Sequence, residues 1–295
     1  IIMIVRRKPG SQVQPDAPVT AEKGRTCMKN GKLKAVVVGL GFGGAFVPIW
    51  RDHPDVGEVG VCELDPKLRA RVAAEYGISL IYPSLDEVLA DETVDAVHLV
   101  TAIPDHAEQT VRVLDAGKHC ACTVPMATTM EGIQAIRGAV ERSGKKYMMM
   151  ETTLYTYQYL YVKRLLESGE LGRVQFLRGS HYQDMENWPS YWAGLPTPVE
   201  IIEDLPNDFS SLPEPLWRYT VGGDYDPTNP QLSLKKGAGG GHHGSHPHLV
   251  HEFVRSIVED RAPAVDWSLA ANITAAGILA HQSALCGGGW ISLPG

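Results

Sequence analysis

Two features of the chain, a glycine-rich stretch and an acidic residue further along, have a spacing that suggests chemistry. The pattern G-x-G-x-x-G runs from Gly39 to Gly44 and overlaps the end of an apolar run, LKAVVVGL, at residues 33–40. Between a strand and a helix, such glycines allow a tight turn and leave backbone N–H groups that bind phosphate. Glu63 follows nineteen residues after Gly44, at the end of the next predicted strand. The spacing therefore predicts a dinucleotide-binding turn.

Three of the glycines in this turn receive separate roles. We expect Gly39 to permit the tight turn, Gly41 to let the backbone approach a diphosphate, and Gly44 to let the helix pack closely on the strand. Phe42 and Gly43 complete the predicted cofactor loop. A glycine-rich turn that only packs against its strand is the alternative interpretation.

The carboxylate at the end of the second predicted strand indicates which dinucleotide to expect. Glu63 can accept hydrogen bonds from ribose hydroxyls and would repel a 2′-phosphate. Leu64 stands where Arg or Lys would favour NADP. NAD is therefore the predicted cofactor, and a solvated loop charge is the alternative role for Glu63.

Strands and helices alternate with short connections over residues 30–150, which defines the predicted cofactor domain. Alternation of this kind implies a parallel sheet with helices on both faces. The predicted fold class is α/β: a Rossmann doubly wound parallel sheet followed by a shortened α+β second domain. The six predicted strands lie at residues 33–40, 56–64, 80–82, 95–102, 118–122 and 146–150.

The pattern changes in residues 151–295, which we interpret as a reduced substrate or oligomerisation domain. The stretch 184–240 is rich in Pro, Trp, Asp and Gly and has little periodicity. A full second sheet is not predicted because too few strands are indicated. The remaining predicted elements are helices at 157–170, 247–259 and 269–285 and a long strand at 172–182.

Composition limits the classes of partner. The 295 residues carry a net charge of −7, which argues against nucleic acid or an anionic membrane as the main partner. No apolar run approaches the length of a membrane span. The five cysteines are odd in number and contain no C-x-x-C pair, which indicates free thiols and a cytoplasmic location. Cys120 and Cys122 are interpreted as small buried apolar residues on one strand face.

The N-terminal residues show little pattern. We expect residues 1–29 to be a disordered extension, because the pair Arg6-Arg7 is not followed by the apolar region of an export signal. Met28 directly precedes the first predicted strand and is the expected natural start.

The glycine turn and two further segments, residues 101–106 and 117–125, together resemble the Gfo/Idh/MocA family (glucose–fructose oxidoreductase, inositol dehydrogenase and rhizopine-catabolism oxidoreductases). The similarity covers residues 33–183, with a weaker similarity over 240–293. Residues 101–106 read TAIPDH where the family has T-P-N-x-x-H. The resemblance implies that Thr101, Ile103 and His106 lie at the cofactor.

The family's hallmark segment departs from its usual pattern here. Residues 117–125 read GKHCACTVP, where the family has G-K-H-V-x-x-E-K-P with its lysine near the nicotinamide and the reacting hydroxyl. Pro125 matches, whereas Thr123 and Val124 replace the glutamate and the lysine. The resemblance places these three residues at the cofactor, but the usual proton-handling group is absent.

One branch of the family, the NAD-dependent glycosidases, provides a second comparison. Its members have E-V-P in place of E-K-P, an M-x-E-N-x-x-Y segment and an H-G-G loop; this chain has METTLY at 150–155 and HGS at 243–245. Such enzymes oxidise a sugar hydroxyl, eliminate the aglycone and reduce the ketone again, so they need a base but no lysine. The candidate catalytic residues are Glu151, Tyr155, His181 and Tyr182.

A histidine-rich segment, GGGHHGSHPHLVHEF, lies before a predicted late helix. Three interpretations are open: capping and packing by Ser245 or His246, contact with substrate or nicotinamide through His243 and His246, and a metal pair formed by His248 and His251. No metal site is predicted, because no further ligand cluster completes the pair. Trp188 belongs to an aromatic cluster that could stack on a sugar or could be core.

Taken together, these features predict an NAD-dependent oxidoreductase acting on a sugar, polyol or glycoside. An NAD-dependent, redox-assisted glycoside hydrolase is one alternative. A non-catalytic nucleotide-binding remnant is the other, because the Glu-Lys pair is lost and the second domain is short. The predicted partner is a carbohydrate-like small molecule, and the resemblance also implies a homo-oligomer.

Overall fold

The computed structural model describes residues 31–174, 209–221, 225–228 and 241–292. Within these ranges, six parallel strands form one sheet with the order β3-β2-β1-β4-β5-β6. This order confirms the predicted doubly wound fold. The strands are β1 Leu33–Val38, β2 Val56–Cys62, β3 Leu80–Tyr82, β4 Ala96–Leu99, β5 His119–Thr123 and β6 Tyr147–Met150.

The helices follow the predicted alternation. A helical stretch after β1 consists of α1 Leu40–Gly43, a 3₁₀ turn Gly44–Phe46 and α2 Val47–Asp52. The others are α3 Pro66–Tyr76, α4 Leu85–Ala90, α5 His106–Asp115, α6 Met130–Ser143, α7 Tyr157–Glu167, α8 Gly241–Val258 and α9 Trp267–Leu285. Further 3₁₀ turns span Ile103–Asp105, Thr152–Tyr155 and Glu214–Thr220.

Local sequence signals account for several helix ends. The carboxylate of Asp65 accepts from the N–H of Lys67 at the start of α3, and Pro66 occupies the first helical position. Gly77 ends that helix with φ 66°, a left-handed conformation that glycine adopts without a steric penalty. Thr129 caps α6 by accepting from the N–H of Gly132.

The sheet is buried on both faces, as the continuous apolar runs predict. One face packs against α1, α2, α3 and α8 and contains Val37 and Met148. The other packs against α4, α5, α6 and α9 and contains Cys120 and Cys122, both 0% exposed. The prediction that these two cysteines are buried on one face is confirmed.

Segments after residue 150 complete the covering of this sheet. Phe253 of α8 lies in the core beside Trp50, with ring centroids 6.2 Å apart. On the other face, the N–H of Met149 in β6 donates to the carbonyl of Val265 at 3.0 Å. The predicted domain boundary at residue 150 is therefore crossed by core contacts within the described ranges.

Several predictions fall at the edge of the described ranges or beyond it. Residues 172–174 are not in a strand, and the rest of the predicted strand at 172–182 lies outside the described residues, as do residues 1–29. Among the residues that the structure covers, no helix combines the length and apolarity needed to cross a membrane.

Candidate cofactor and substrate site

The glycine turn has the conformation that its sequence predicts. Gly39 has φ 87°, and a Cβ there would lie 2.4 Å from the carbonyl oxygen of Val100, so only glycine fits. A Cβ on Gly41 would meet no atom within 4 Å. Gly41 is exposed at the start of α1, so the surface beside it is open to a ligand that approaches the backbone.

The close approach of helix to strand falls on a different glycine from the one predicted. A Cβ on Gly43 would lie 3.1 Å from Cβ of Val100 and 3.2 Å from Cγ1 of Val37. One on Gly44 would lie 3.8 Å from Val72, which is ordinary contact. The prediction for Gly44 was therefore wrong, because the rotation of the helix turns Gly43 towards the sheet.

Glu63 is tied into the backbone at the end of β2. Its Oε2 accepts from the N–H of Leu40 at 2.8 Å, and its Oε1 accepts from those of Leu64 and Asp65 at 2.7 and 3.1 Å. The carboxylate thereby joins the end of β2 to the glycine turn. Arg69, which the sequence did not single out, donates to the carbonyl oxygen of Glu63 and brings a cation to this end of the cleft.

A cleft of about 330 Å³ opens between the glycine turn and the ends of β2 and β4. It is lined by Gly39, Gly41, Phe42, Glu63 and Thr101, all of which the sequence predicted at the cofactor. An open backbone beside Gly41 and a fixed carboxylate at the far end suit the diphosphate and a ribose of a dinucleotide. The residues present therefore fit NAD.

The loop after β4 is held by a buried histidine. His106 is 1% exposed, and its Nδ1 lies 2.8 Å from the carbonyl oxygen of Pro125, while its Nε2 lies 3.1 Å from that of Thr101. The ring therefore links the loops that follow β4 and β5. Ile103 lies half-buried in the 3₁₀ turn between Thr101 and His106. His106 can therefore position Thr101, which lines the cofactor cleft.

The end of β5 carries no group that handles protons near neutral pH. Thr123 Oγ1 donates to the carbonyl oxygen of Leu99 at 3.4 Å and lies 3.5 Å from His106 Nε2. Val124 is 37% exposed and precedes a cis peptide bond to Pro125. The side chain at the family's lysine position thus presents an apolar surface.

A second cavity, of about 420 Å³, lies beside Val124 and Pro125, between the ends of β5 and β6 and helix α9. Val124, Pro125, Ile273 and Ile278 contribute apolar walls. The polar groups that line it are mainly Glu151, His281 and Gln282. The sequence did not single out His281, which lies in the predicted helix at 269–285.

Glu151 uses one of its two carboxylate oxygens for a structural hydrogen bond. Its Oε1 accepts from the N–H of Thr153 at 2.9 Å and so caps the 3₁₀ turn Thr152–Tyr155. No other hydrogen bond of this carboxylate involves a described residue. Glu151 can therefore cap the turn with one oxygen and act on a ligand in the cavity with the other.

Tyr155 lies in a different cavity from Glu151. This third cavity, of about 550 Å³, lies between α7 and α8, and in it the ring of Tyr155 stacks on that of His248 at 5.9 Å. Burial is the largest cause that raises the pKa of the Tyr155 phenol well above its ordinary value. A phenol that holds its proton so firmly is a poor base at neutral pH. The other candidates, His181, Tyr182 and Trp188, lie outside the described residues.

The histidine segment is arranged by packing more than by capping. His246 is 2% exposed and stacks on Phe46 with centroids 4.1 Å apart, and burial lowers its pKa to about 3. Ser245 is buried, and its hydroxyl bonds no described residue, so the predicted side-chain cap is not formed. His243 is exposed and makes an edge contact with Tyr157 at 5.7 Å. Burial therefore favours the packing interpretation for His246 and leaves His243 accessible to a ligand.

His248 and His251 have different partners. His251 Nδ1 lies 3.0 Å from Nε2 of the buried His53, whereas His248 stacks on Tyr155. The arrangement does not support the alternative in which these two histidines form a metal pair.

Comparison with known proteins agrees with this geometry. Residues 33–151 match the Gfo/Idh/MocA family, described as an oxidoreductase family with an NAD-binding Rossmann fold. A glycosyl hydrolase family 109 protein of Porphyromonas gingivalis is 28% identical over 199 residues, covering 61% of this chain and 42% of that protein. Levoglucosan dehydrogenase of Pseudarthrobacter phenanthrenivorans is 28% identical over 135 residues, covering 45% and 35%.

A solved structure is also similar. It is an oxidoreductase from Agrobacterium radiobacter in complex with NAD⁺, L-tartaric acid and magnesium, 25% identical with a TM-score of 0.46, covering 48% of this chain and 42% of that one. The chain spans about two fifths of the length of the curated relatives that it matches. Residues 33–151 therefore form an NAD-binding Rossmann domain similar to that of the Gfo/Idh/MocA oxidoreductases, and the cofactor of this domain is NAD.

Proposed function

We propose that the protein is an NAD-dependent oxidoreductase whose substrate is a sugar, a polyol or a glycoside. The observation that carries the proposal is the cavity beside the turn at Val124 and Pro125, because it adjoins the end of β5 and contains Glu151. Ligands of open α/β sheets bind at the carboxyl ends of the strands, where this cavity lies. Relatives named levoglucosan dehydrogenase and glycosyl hydrolase family 109 protein support a carbohydrate-like substrate.

The residues of the cofactor cleft would bind and orient the dinucleotide. The backbone beside Gly41 would hold the diphosphate, and Glu63 would accept hydrogen bonds from a ribose. When bound, NAD supplies the acceptor for a hydride. The protein's part is to hold a substrate C–H beside that acceptor and to take the hydroxyl proton.

Glu151 is the proposed base. It is half-buried in the cavity wall, and one of its oxygens is engaged by the N–H of Thr153. His281, across the cavity on α9, could accept or donate a hydrogen bond to a substrate hydroxyl. The apolar faces of Val124 and Ile273 suit the C–H surface of a sugar ring.

The redox-assisted glycoside hydrolase is the second candidate. It is favoured by Val124, since elimination next to a ketone requires a base and no lysine. Relatives named glycosyl hydrolase family 109 proteins match 52–61% of this chain and support the same alternative. A non-catalytic NAD-binding protein is the third, because no group at residues 123 and 124 moves a proton.

The test begins with calorimetric titration of the full chain with NAD and with NADP. The protein is then incubated with NAD and a panel of sugars, polyols and nitrophenyl glycosides, while NADH absorbance and nitrophenol release are followed together. NADH formation supports the oxidoreductase, and nitrophenol release without net NADH supports the hydrolase. Binding of NAD with neither product supports the non-catalytic alternative, and absence of NAD binding would remove all three.

A matched pair of variants assigns the base. Glu151→Gln should lower either activity by about 10²–10⁴-fold and leave NAD affinity unchanged, whereas Glu167→Gln on the exposed face of α7 should change neither. A cytoplasmic location and a homo-oligomeric state are further parts of the proposal. Sedimentation of the purified chain tests the homo-oligomeric state, and fractionation of the native host tests the cytoplasmic location.

A further inference from the structure

One wall of the cofactor cleft comes from the β4 side and contains a glutamine that the sequence did not single out. Gln109 lies one turn into α5 and lines the cleft together with Thr101 and Asp105. Gly39 and Glu63 line the same cleft from the glycine turn and the end of β2. Because Gln109 is half-buried, the protein can hold its amide on one side while a ligand meets it on the other.

The amide of Gln109 is held in place by one hydrogen bond. The hydroxyl of Thr101 donates to its Oε1 at 2.6 Å. Thr101 is itself fixed, because its carbonyl oxygen lies 3.1 Å from Nε2 of the buried His106. An amide oxygen has two lone pairs, so Oε1 can accept a second hydrogen bond, and the amide nitrogen has two N–H donors that bond no residue in the described ranges. Gln109 therefore presents both an acceptor and a donor to a ligand in the cleft.

The charges of this cleft indicate which part of the dinucleotide lies beside Gln109. Glu63 and Asp105 are carboxylates, and no lysine or arginine is among the described residues that line the cleft. An anionic diphosphate is therefore disfavoured beside them and belongs at the backbone next to Gly41. The ribose that Glu63 would bind is the one that carries adenine, since the same ribose bears the 2′-phosphate in NADP. Adenine is thus the part of NAD that shares this end of the cleft with Gln109.

The remaining walls of the cleft suit the faces of a purine. Leu64 at the end of β2, Leu85 at the start of α4 and Ala102 after β4 give the cleft apolar surface. Leu64 is 78% exposed, so it offers apolar area that a flat base could cover. Small-molecule sites combine apolar walls with a few placed polar groups that fix orientation. Gln109 is such a group for the polar edge of a base.

We propose that Gln109 recognises the adenine base of NAD, with its Oε1 accepting from the exocyclic amino group and its amide nitrogen donating to a neighbouring ring nitrogen. A glutamine amide and adenine are complementary in this way because each presents a donor beside an acceptor. The inference rests on the proposed function, since it requires that the cleft binds NAD. It adds a residue that selects the base, which the contact of Glu63 with a ribose does not do.

The test compares NAD with nicotinamide hypoxanthine dinucleotide, which carries an oxo group in place of the exocyclic amino group of adenine. Both dinucleotides are titrated calorimetrically into the full chain and into Gln109→Ala and Gln109→Met, since methionine keeps the length of the side chain without its amide. Gln134→Ala on α6 is the matched control, because it removes an exposed glutamine from a helix outside the cleft. Thermal unfolding midpoints are recorded for each protein.

The parent and Gln134→Ala should bind NAD about tenfold more tightly than the hypoxanthine dinucleotide. Both Gln109 variants should bind NAD about tenfold more weakly than the parent and should distinguish the two dinucleotides by less than about twofold. Equal affinity of the parent for the two dinucleotides would overturn the inference, as would a preference for NAD that the Gln109 variants retain. If the parent bound no NAD, the proposed function itself would fail, which separates the two failures.

Discussion

Replacing Glu63 with glutamine tests whether its carboxylate both stabilises the turn and selects the cofactor. Three backbone N–H groups, of Leu40, Leu64 and Asp65, donate to its two oxygens at 2.7–3.1 Å. An amide keeps one acceptor oxygen and presents an NH₂ group where the other stood. With the oxygen towards Leu64 and Asp65, the NH₂ group faces the N–H of Leu40, so at least one hydrogen bond is lost.

The magnitude follows from that count. A hydrogen bond to a charged acceptor contributes about 1.5–3 kcal/mol, and Glu63 is only half-buried, so a loss of about 2 kcal/mol in the free energy of unfolding is expected. For a chain of this size that corresponds to a midpoint lowered by about 4–8 °C. The control is Glu58→Gln on the same strand, because the exposed carboxylate of Glu58 lies 3.6 Å from Lys34 and its loss should change the free energy of unfolding by at most about 0.5 kcal/mol.

Cofactor affinity provides the second readout. Loss of the ribose contact should weaken NAD binding about tenfold. NADP should lose less, because the repelling charge is gone while Arg69 stays beside the carbonyl of residue 63. Thermal unfolding and calorimetric titration of both variants measure these effects. Equal midpoints for the two variants, or an unchanged preference for NAD, would refute the assignment of Glu63.

Three further outcomes are expected. Gly43→Ala should lower the free energy of unfolding by about 1–3 kcal/mol through overpacking against Val100. Gly44→Ala should leave the free energy of unfolding unchanged or raise it by up to about 1 kcal/mol. Urea denaturation of both variants measures these changes, and equal effects would contradict the geometry. Burial lowers the pKa of His53 to about 4 and that of His98 to about 3, so the unfolded chain takes up their protons first as pH falls below 6.5. The free energy of unfolding should then fall by up to about 1.4 kcal/mol per pH unit for each histidine, and this fall should end once the pH is below the lowered pKa. Urea titrations should show a smaller difference in the free energy of unfolding between pH 7 and pH 5 for His53→Asn than for the parent. Glu151→Gln should lower kcat by about 10²–10⁴-fold with unchanged NAD affinity, and a retained kcat would exclude this residue as the base.

Much of the cofactor domain was predictable because its signals are local. Continuous β-branched runs mark strands buried on both faces, and the glycine pattern marks the turn in which Gly39 has a positive φ. The end of α3 at Gly77 follows from the same kind of signal. These features depend on a few consecutive residues, which is why the strand positions and the turn agree with the prediction.

The parts that were missed depend on contacts between distant segments. His53 and His251 are 198 positions apart, and no periodicity links them. The exchange of roles between Gly43 and Gly44 depends on the exact rotation of a short helix against β1 and β4. Glu151 and Tyr155 are four positions apart, yet a 3₁₀ turn sends them to different cavities. A pattern of residue types does not contain this geometry.

The return of α8 and α9 to the two faces of the sheet has a consequence for synthesis of the chain. Phe253 packs beside Trp50, and Val265 accepts a hydrogen bond from the N–H of Met149, so the cofactor domain does not have its complete core when residue 150 leaves the ribosome. At about 5–20 residues per second, the missing helices follow roughly 7–27 seconds later. During that interval the nascent chain exposes apolar sheet surface, the kind of surface that chaperones bind.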